Sequence, residues 1–229
     1  MAKFPGFSRE TIDFLQGLAE HNDKAWFDAH RGDYEAHYLE PAKAFVSALA
    51  PILQKWRPEI HAEPRVNGSI FRINRDLRFS RDKSPYKHHL DLWFWEGGGR
   101  SFSCPGLFFR LLPAELILGA GLHRMDKDLL RKYRAAILDE TRAKPLARLL
   151  AKAEGAGYTV GGRNLSRVPR GLPLDHPRAD LLRHDGLTLM LEVPLPRELH
   201  TADFPKFCAS HFKAMLPLHS WLVDVSGGK

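Results

Sequence analysis

The apolar residues of this chain change period along its length, and no motif in it constrains the fold as strongly. In the first third they recur at helical spacing: Ile12, Leu15, Leu18 and Ala19, then Tyr38, Phe45, Leu49, Ile52 and Leu53. Ser8 stands at an N-cap position, where its hydroxyl can accept a free amide of the first turn. Asn22 or Asp23 stands in the same position for the next helix. Pro41 must start or kink a helix, because it has no amide to donate and its ring clashes with the preceding turn.

The middle third switches to period two. In GSIFRINR, Phe71 and Ile73 alternate with Arg72 and Asn74. HLDLWFW puts Leu90, Leu92 and Phe94 on one side and Asp91, Trp93 and Trp95 on the other. The two tryptophans read as core beneath helices, which must cover such large rings. EGGGRS reads as a hairpin connection, followed by SCPGLFFRLL and ELILGAGL with Pro113 and Ala114 between them. Connections this short predict an antiparallel meander, since parallel strands need long crossovers. Phe109 and Leu111 then face the core, while Arg110 joins Arg72 on a polar face.

Helical spacing returns after Asp126, a further N-cap, with Leu129, Leu130, Tyr133 and Ile137 on one side. PLARLLAKAE continues to Gly155, read as a left-handed stop. From Gly157 to His184 the chain is loop-like, with Asp175 capping a short helix that Pro177 begins. LTLMLEV is another strand and DFPKFCASHFKAMLPLHSWLVDV a closing helix. No repeat or linker divides the chain. These segments predict one α+β domain over residues 1–229, a mainly antiparallel sheet of about five strands flanked by N-terminal, middle and C-terminal helices.

At 229 residues the chain can bury a substantial core. Cys104 and Cys208 are far apart and in no metal-type spacing, which points to a reducing, cytoplasmic setting rather than a disulfide framework. MAKFPGFSRE lacks the apolar core of a signal peptide, and no apolar run reaches membrane-spanning length. The twelve histidines give no metal site: His88 and His89 are adjacent, and His30 and His37 lie two turns apart. Phosphate-loop, GxSxG and HExxH motifs are absent. GAGYTVG follows a helix rather than a strand, so it does not read as a dinucleotide turn. No cofactor is implied.

The formal net charge is +7, and RINRDLRFSRDKSPYK, residues 72–87, contributes six cations and two aspartates to it. Arg72, Arg75, Arg78, Lys83 and Lys87 sit in a loop leaving one strand and entering another, with Arg110 on the neighbouring strand. Arginine forks and lysine ammonium groups suit phosphate or carboxylate. Ser80 and Ser84 add donors, and the Phe79 and Tyr86 rings anchor the loop or stack on a base. The competing reading pairs Asp76 and Asp82 with neighbouring arginines in a solvated turn, although two aspartates cannot neutralise six cations. A second basic stretch, residues 163–184, holds Arg163, Arg167, Arg170, Arg178 and Arg183 and joins the first in one basic cleft if the two fold together.

Four stretches carry a resemblance over nearly the whole chain, from Phe4 to about Val225. They are FPGFSRETIDFLQGLAEHNDKAWFDAHRGDYE, FRINRDLRFSRDKSPYK, LILGAGLHRMDKDLLRKYRAAI and VPRGLPLDHPRADLLRH. With them the chain resembles the family catalogued as domain of unknown function 2461, and the second stretch is the most specific. The resemblance implies a shared α+β fold and a shared basic segment, and brings no activity with it.

Three functions stay open on the sequence. One is a binding protein or enzyme for a phosphorylated or otherwise anionic ligand, with Arg72, Arg75, Arg78, Ser80, Lys83, Tyr86, Lys87 and Arg110 at the site. In an enzyme, Asp76, Asp82 and His88 are the nearest groups for proton transfer. The second is a nucleic-acid-binding module using the same patch. The third is a structural or interaction protein with no ligand. No membrane partner is expected.

Overall fold

The computed structural model describes residues 4–78, 81–98 and 104–227. Ser80, Phe79 and residues 99–101 of the expected hairpin connection lie outside them. The fold is α+β around a six-stranded antiparallel sheet in the order β1-β2-β3-β4-β6-β5. The strands are β1 (Ile60–His61), β2 (Leu90–Glu96), β3 (Gly106–Leu111), β4 (Glu115–Leu122), β5 (Thr159–Gly161) and β6 (Leu187–Pro194).

Six strands replace the expected five. β1 and β5 are too short, at two and three residues, to show an alternation. The stretch GSIFRINR is not a strand, although isolated bridges join it to β2 at Ile70–Leu92 and to the segment before β2 at Asn74–Tyr86. Arg75 donates its amide to the Pro85 carbonyl at 2.9 Å, but Pro85 has no amide to return, so a regular ladder cannot form there.

The chain divides into two compact units. The first comprises Met1–Phe94, Phe108–Leu118 and Glu192–Ser210. It holds α1 (Arg9–Glu20), α2 (Lys24–Ala29), the single turn α3 (Arg31–Asp33), a π-helical stretch Tyr34–Leu39 and α4 (Glu40–Trp56). Ser8 caps α1 by its extended backbone without a side-chain hydrogen bond. The Asp23 carboxylate accepts the Trp26 amide at 2.9 Å and caps α2. Pro41 sits at the start of α4 directly after the π-helical stretch, where the Glu40 amide still donates back to the Glu35 carbonyl and Pro41 has no amide to continue the run. The core is aromatic: Phe45 lies 5.0 Å from Phe109, and Phe7 meets Phe4, Phe45 and Phe204 at 5.2–5.8 Å. Gly6, at φ +116°, lies where a Cβ would stand 2.3 Å from the His200 carbonyl carbon, so only glycine fits.

The second unit comprises Trp95–Leu107, Gly119–Leu191 and His211–Lys229. In it lie α5 (Lys127–Leu138) and α6 (Glu140–Gly155), capped by Asp126 and Asp139. The stop after α6 falls at Gly157 (φ +89°) rather than at Gly155. Asp175 caps no helix. His176 Nδ1 instead accepts the Arg178 amide at 3.1 Å in a turn leading to a 3-10 segment, Leu181–Arg183. Helix α7 (Phe204–Ser226) closes the chain, as its pattern predicts. Glu96, read from the sequence as the edge of a turn, is buried with His219, Oε2 to Nε2 3.0 Å. Trp95 is buried and Trp93 half-buried.

Candidate functional site

The basic segment is built onto the first unit at its C-terminal end. Asn22, just before α2, holds the Tyr86 backbone with both ends of its amide: Nδ2 donates to the Tyr86 carbonyl and Oδ1 accepts its N–H, each at 3.0 Å. The Tyr86 ring is buried and stacked on Phe27, with centroids 4.2 Å apart and planes inclined by 18°. This anchor fixes where the chain enters β2. It also commits the tyrosine to the core, away from any base or ligand.

Between Tyr86 and the start of β2 at Leu90 the chain bends at His88 and His89, and Lys87 and His89 come together at Asp91. Arg110 of β3 reaches the same carboxylate. Asp91 is 3% exposed and accepts from Arg110 Nε at 2.7 Å and Nη2 at 3.1 Å. His89 Nε2 lies 3.2 Å from Asp91, and Lys87 Nζ 3.7 Å. The Lys87 side chain is 18% exposed, with its ammonium 4.7 Å above the centre of the Phe71 ring. Tyr38, wholly buried, donates to the His89 carbonyl at 3.2 Å and fixes the start of the strand.

Burial pulls against the charge of each group. It pushes the Asp91 carboxyl up, yet hydrogen bonds from His89 and Arg110 outweigh it and hold the pKa below the ordinary value. For Lys87 burial prevails and lowers the ammonium pKa, with Arg110 and Arg72 adding repulsion and Asp91 opposing them. His88 is lowered too, first by burial and then by His89. Arg72 is exposed and within electrostatic reach of both Lys87 and Asp76.

The outer part of the segment is arranged differently. Arg75 is paired with Asp82, and Arg78 grips Asp76 through Nε at 2.9 Å and Nη2 at 2.6 Å. Lys83 donates to the Leu77 carbonyl at 3.0 Å, and the Ser84 amide to Asp82 at 2.9 Å. The hydrogen bonds from Arg78 hold the Asp76 carboxyl down to about 2, and those from Ser84 and Arg75 lower Asp82 as well. Both carboxylates are weak bases for that reason.

The predicted site residues therefore separate. Lys87 and Arg110 converge, with Arg72 in electrostatic reach of Lys87. Arg75, Arg78 and Lys83 bind the loop to itself, Tyr86 is structural, and Ser80 is outside the described residues. Sequence reasoning missed Asp91 as the hub and His89 as its partner. No local signal marks either of them, because the bend at His88 and His89 rather than a strand period brings them together. The second basic stretch lies in the other unit, where Arg178 grips Glu140 with two 2.7 Å bonds and Arg163 and Arg183 share Asp180. Among the described residues no group of three or more His, Cys, Asp or Glu is placed to hold a metal ion, and no helix is long and apolar enough to cross a membrane.

Comparison with curated proteins and with solved structures gives no match. Residues 10–221 match the model of the family described as conserved hypothetical protein (DUF2461), and the chain belongs to that family.

Proposed function

We propose that the protein binds a small anionic ligand, a phosphate ester or a carboxylate, at Lys87 and Arg110, with Arg72 at the mouth. The observation that carries this reading is the charge balance at Asp91: one buried carboxylate shared by two largely covered cations. A surplus positive charge held away from water is costly to fold around and is offset when an anion enters. The donors for that anion remain. Of the five N–H groups of Arg110 two are used by Asp91, and the Lys87 ammonium has three, the nearest Asp91 oxygen being 3.7 Å away. His88, beside His89 with ring centroids 5.5 Å apart, is the group available to exchange a proton with a bound ligand.

The test is thermal unfolding of the full chain with inorganic phosphate, pyrophosphate, a sugar phosphate and a short oligonucleotide. A ligand at a hundredfold excess over Kd stabilises the folded state by about 2.7 kcal/mol. Phosphate compounds are expected to raise the melting temperature of the wild type and of Arg78→Ala, and to leave Lys87→Met unmoved. A null result with all the phosphate compounds sinks the reading. Stabilisation by the oligonucleotide alone, falling with salt at a log-log slope of roughly −0.9 per phosphate contact on a duplex, replaces it with nucleic-acid binding.

A further inference from the structure

Helix α5 carries three cations one turn apart, Lys127, Arg131 and Arg134, and none of them meets a carboxylate among the described residues. Other cations of the same unit are paired: Arg178 with Glu140, Arg142 with Asp139, Arg163 with Asp180. Arg134 Nε is buried and donates to nothing. These cations line a groove of about 400 Å³ with Leu130, Leu138 and Leu172. Leu138 is 39% exposed, and Leu174, two residues beyond Leu172, is 74% exposed; they are the large apolar side chains left most open in the described chain.

We propose that this groove is the docking site for an acidic, leucine-bearing segment of a partner protein, bound with its carboxylates on Lys127, Arg131 and Arg134 and its leucines against Leu130, Leu138 and Leu172. The inference is independent of the anion site, whose residues lie in the other unit. Three features select this occupant. The lining residues run from Lys127 to Leu138, about 17 Å of helix at 1.5 Å per residue, a span that about three turns of a docked peptide helix match. Cations repeating once a turn call for carboxylates repeating at a similar interval, which a peptide supplies and a single acyl carboxylate does not. The apolar lining stands beside the cations, with Leu138 open to solvent among them, so a side-chain row that carries both acidic and apolar groups meets both. A second copy of this chain is a poor occupant, since a net charge of +7 repels itself.

The experiment is a peptide-display selection on the full chain with 14-residue helical peptides, run in parallel on the wild type and on Lys127→Glu/Arg131→Glu. Both replaced side chains are exposed, so the melting curve of the variant should match the wild type. Enriched peptides should carry acidic residues once a turn with leucines between them. A synthesised representative should bind saturably in fluorescence polarisation, about tenfold or more weaker to the double variant. Leu138→Ser, which leaves the charges alone, should also weaken it, and a lysine-for-glutamate peptide should recover binding to the double variant. Equal enrichment on wild type and double variant overturns the proposal. So does loss of palmitate or phosphatidylglycerol-vesicle binding in the double variant with no peptide enriched, or self-association of the wild type that Arg131→Glu abolishes.

Discussion

At one end of the basic segment Asp76 meets Arg78 in open solvent, and at the other a buried Asp91 meets the part-covered Arg110, His89 and Lys87. The bond lengths are alike, 2.6 Å in the first pair and 2.7 Å in the second. What differs is the medium. Around Asp76 water solvates each charge whether or not the other is present, so the pair is worth little. Around Asp91 the cations depend on the one carboxylate, because removing it leaves them covered and unpaired. Charge density along the sequence therefore says little about which arginine matters; the neighbour that excludes water decides it.

The largest effect expected from breaking this contrast is at the hub. Asp91→Ala leaves Lys87 and Arg110 covered without a carboxylate and should cost about 3–5 kcal/mol in urea unfolding. A loss no greater than that of a surface pair would erase the distinction between the two ends.

Next in size is the anchor that lets one end be buried at all. Asn22→Ala removes both hydrogen bonds to the Tyr86 backbone and should cost about 1–3 kcal/mol, with Tyr86 left partly unsatisfied. Lys87→Met is smaller still. It keeps the stem over Phe71 while removing the surplus cation, so stability should stay within about 1 kcal/mol of wild type as phosphate binding disappears. If binding persists in that variant, the buried end has no more claim to a ligand than the exposed one. Arg78→Ala should leave both the unfolding midpoint and ligand binding within measurement error, since its partner carboxylate stays solvated.

Acid titration sharpens the same comparison. The Asp91 carboxyl has its folded pKa below the unfolded value, so the unfolded state takes up protons first as pH falls. Its contribution is complete above about pH 4 and lost as pH drops through the folded pKa. Unfolding free energy measured from pH 6 down to pH 2 should fall less steeply in Asp91→Asn than in the wild type. Lys87 acts at the alkaline end with the opposite charge: its pKa is lowered on folding, so stability from that group rises as pH climbs through the folded value.

Much of the fold was legible because it follows from local periodicity. Leu129, Tyr133 and Ile137 on one side of α5, and Phe109 and Leu111 of β3 facing inward, needed no tertiary information. β1 and β5 were not legible, because two or three residues carry no period, and neither was the burial of Glu96 beside His219, because that pairing joins residues 123 positions apart. At the candidate site, composition pointed to residues 72–87 and to Arg110, but not to which of the cations would be covered.

By itself the sequence determined the helical periods of α1, α4 and α5, the strand periods of β3 and β6, the cap at Asp126 and the surplus of positive charge in one segment. Each of these rests on forces acting within a few residues: side-chain spacing, amide geometry and formal charge. Only the tertiary structure decided that Asp91 gathers Lys87, His89 and Arg110 while Asp76 and Asp82 stay with their own loop. Burial is a property of what packs on top, and the Tyr86 anchor to Asn22 and Phe27, more than fifty residues away in the chain, sets where that burial begins.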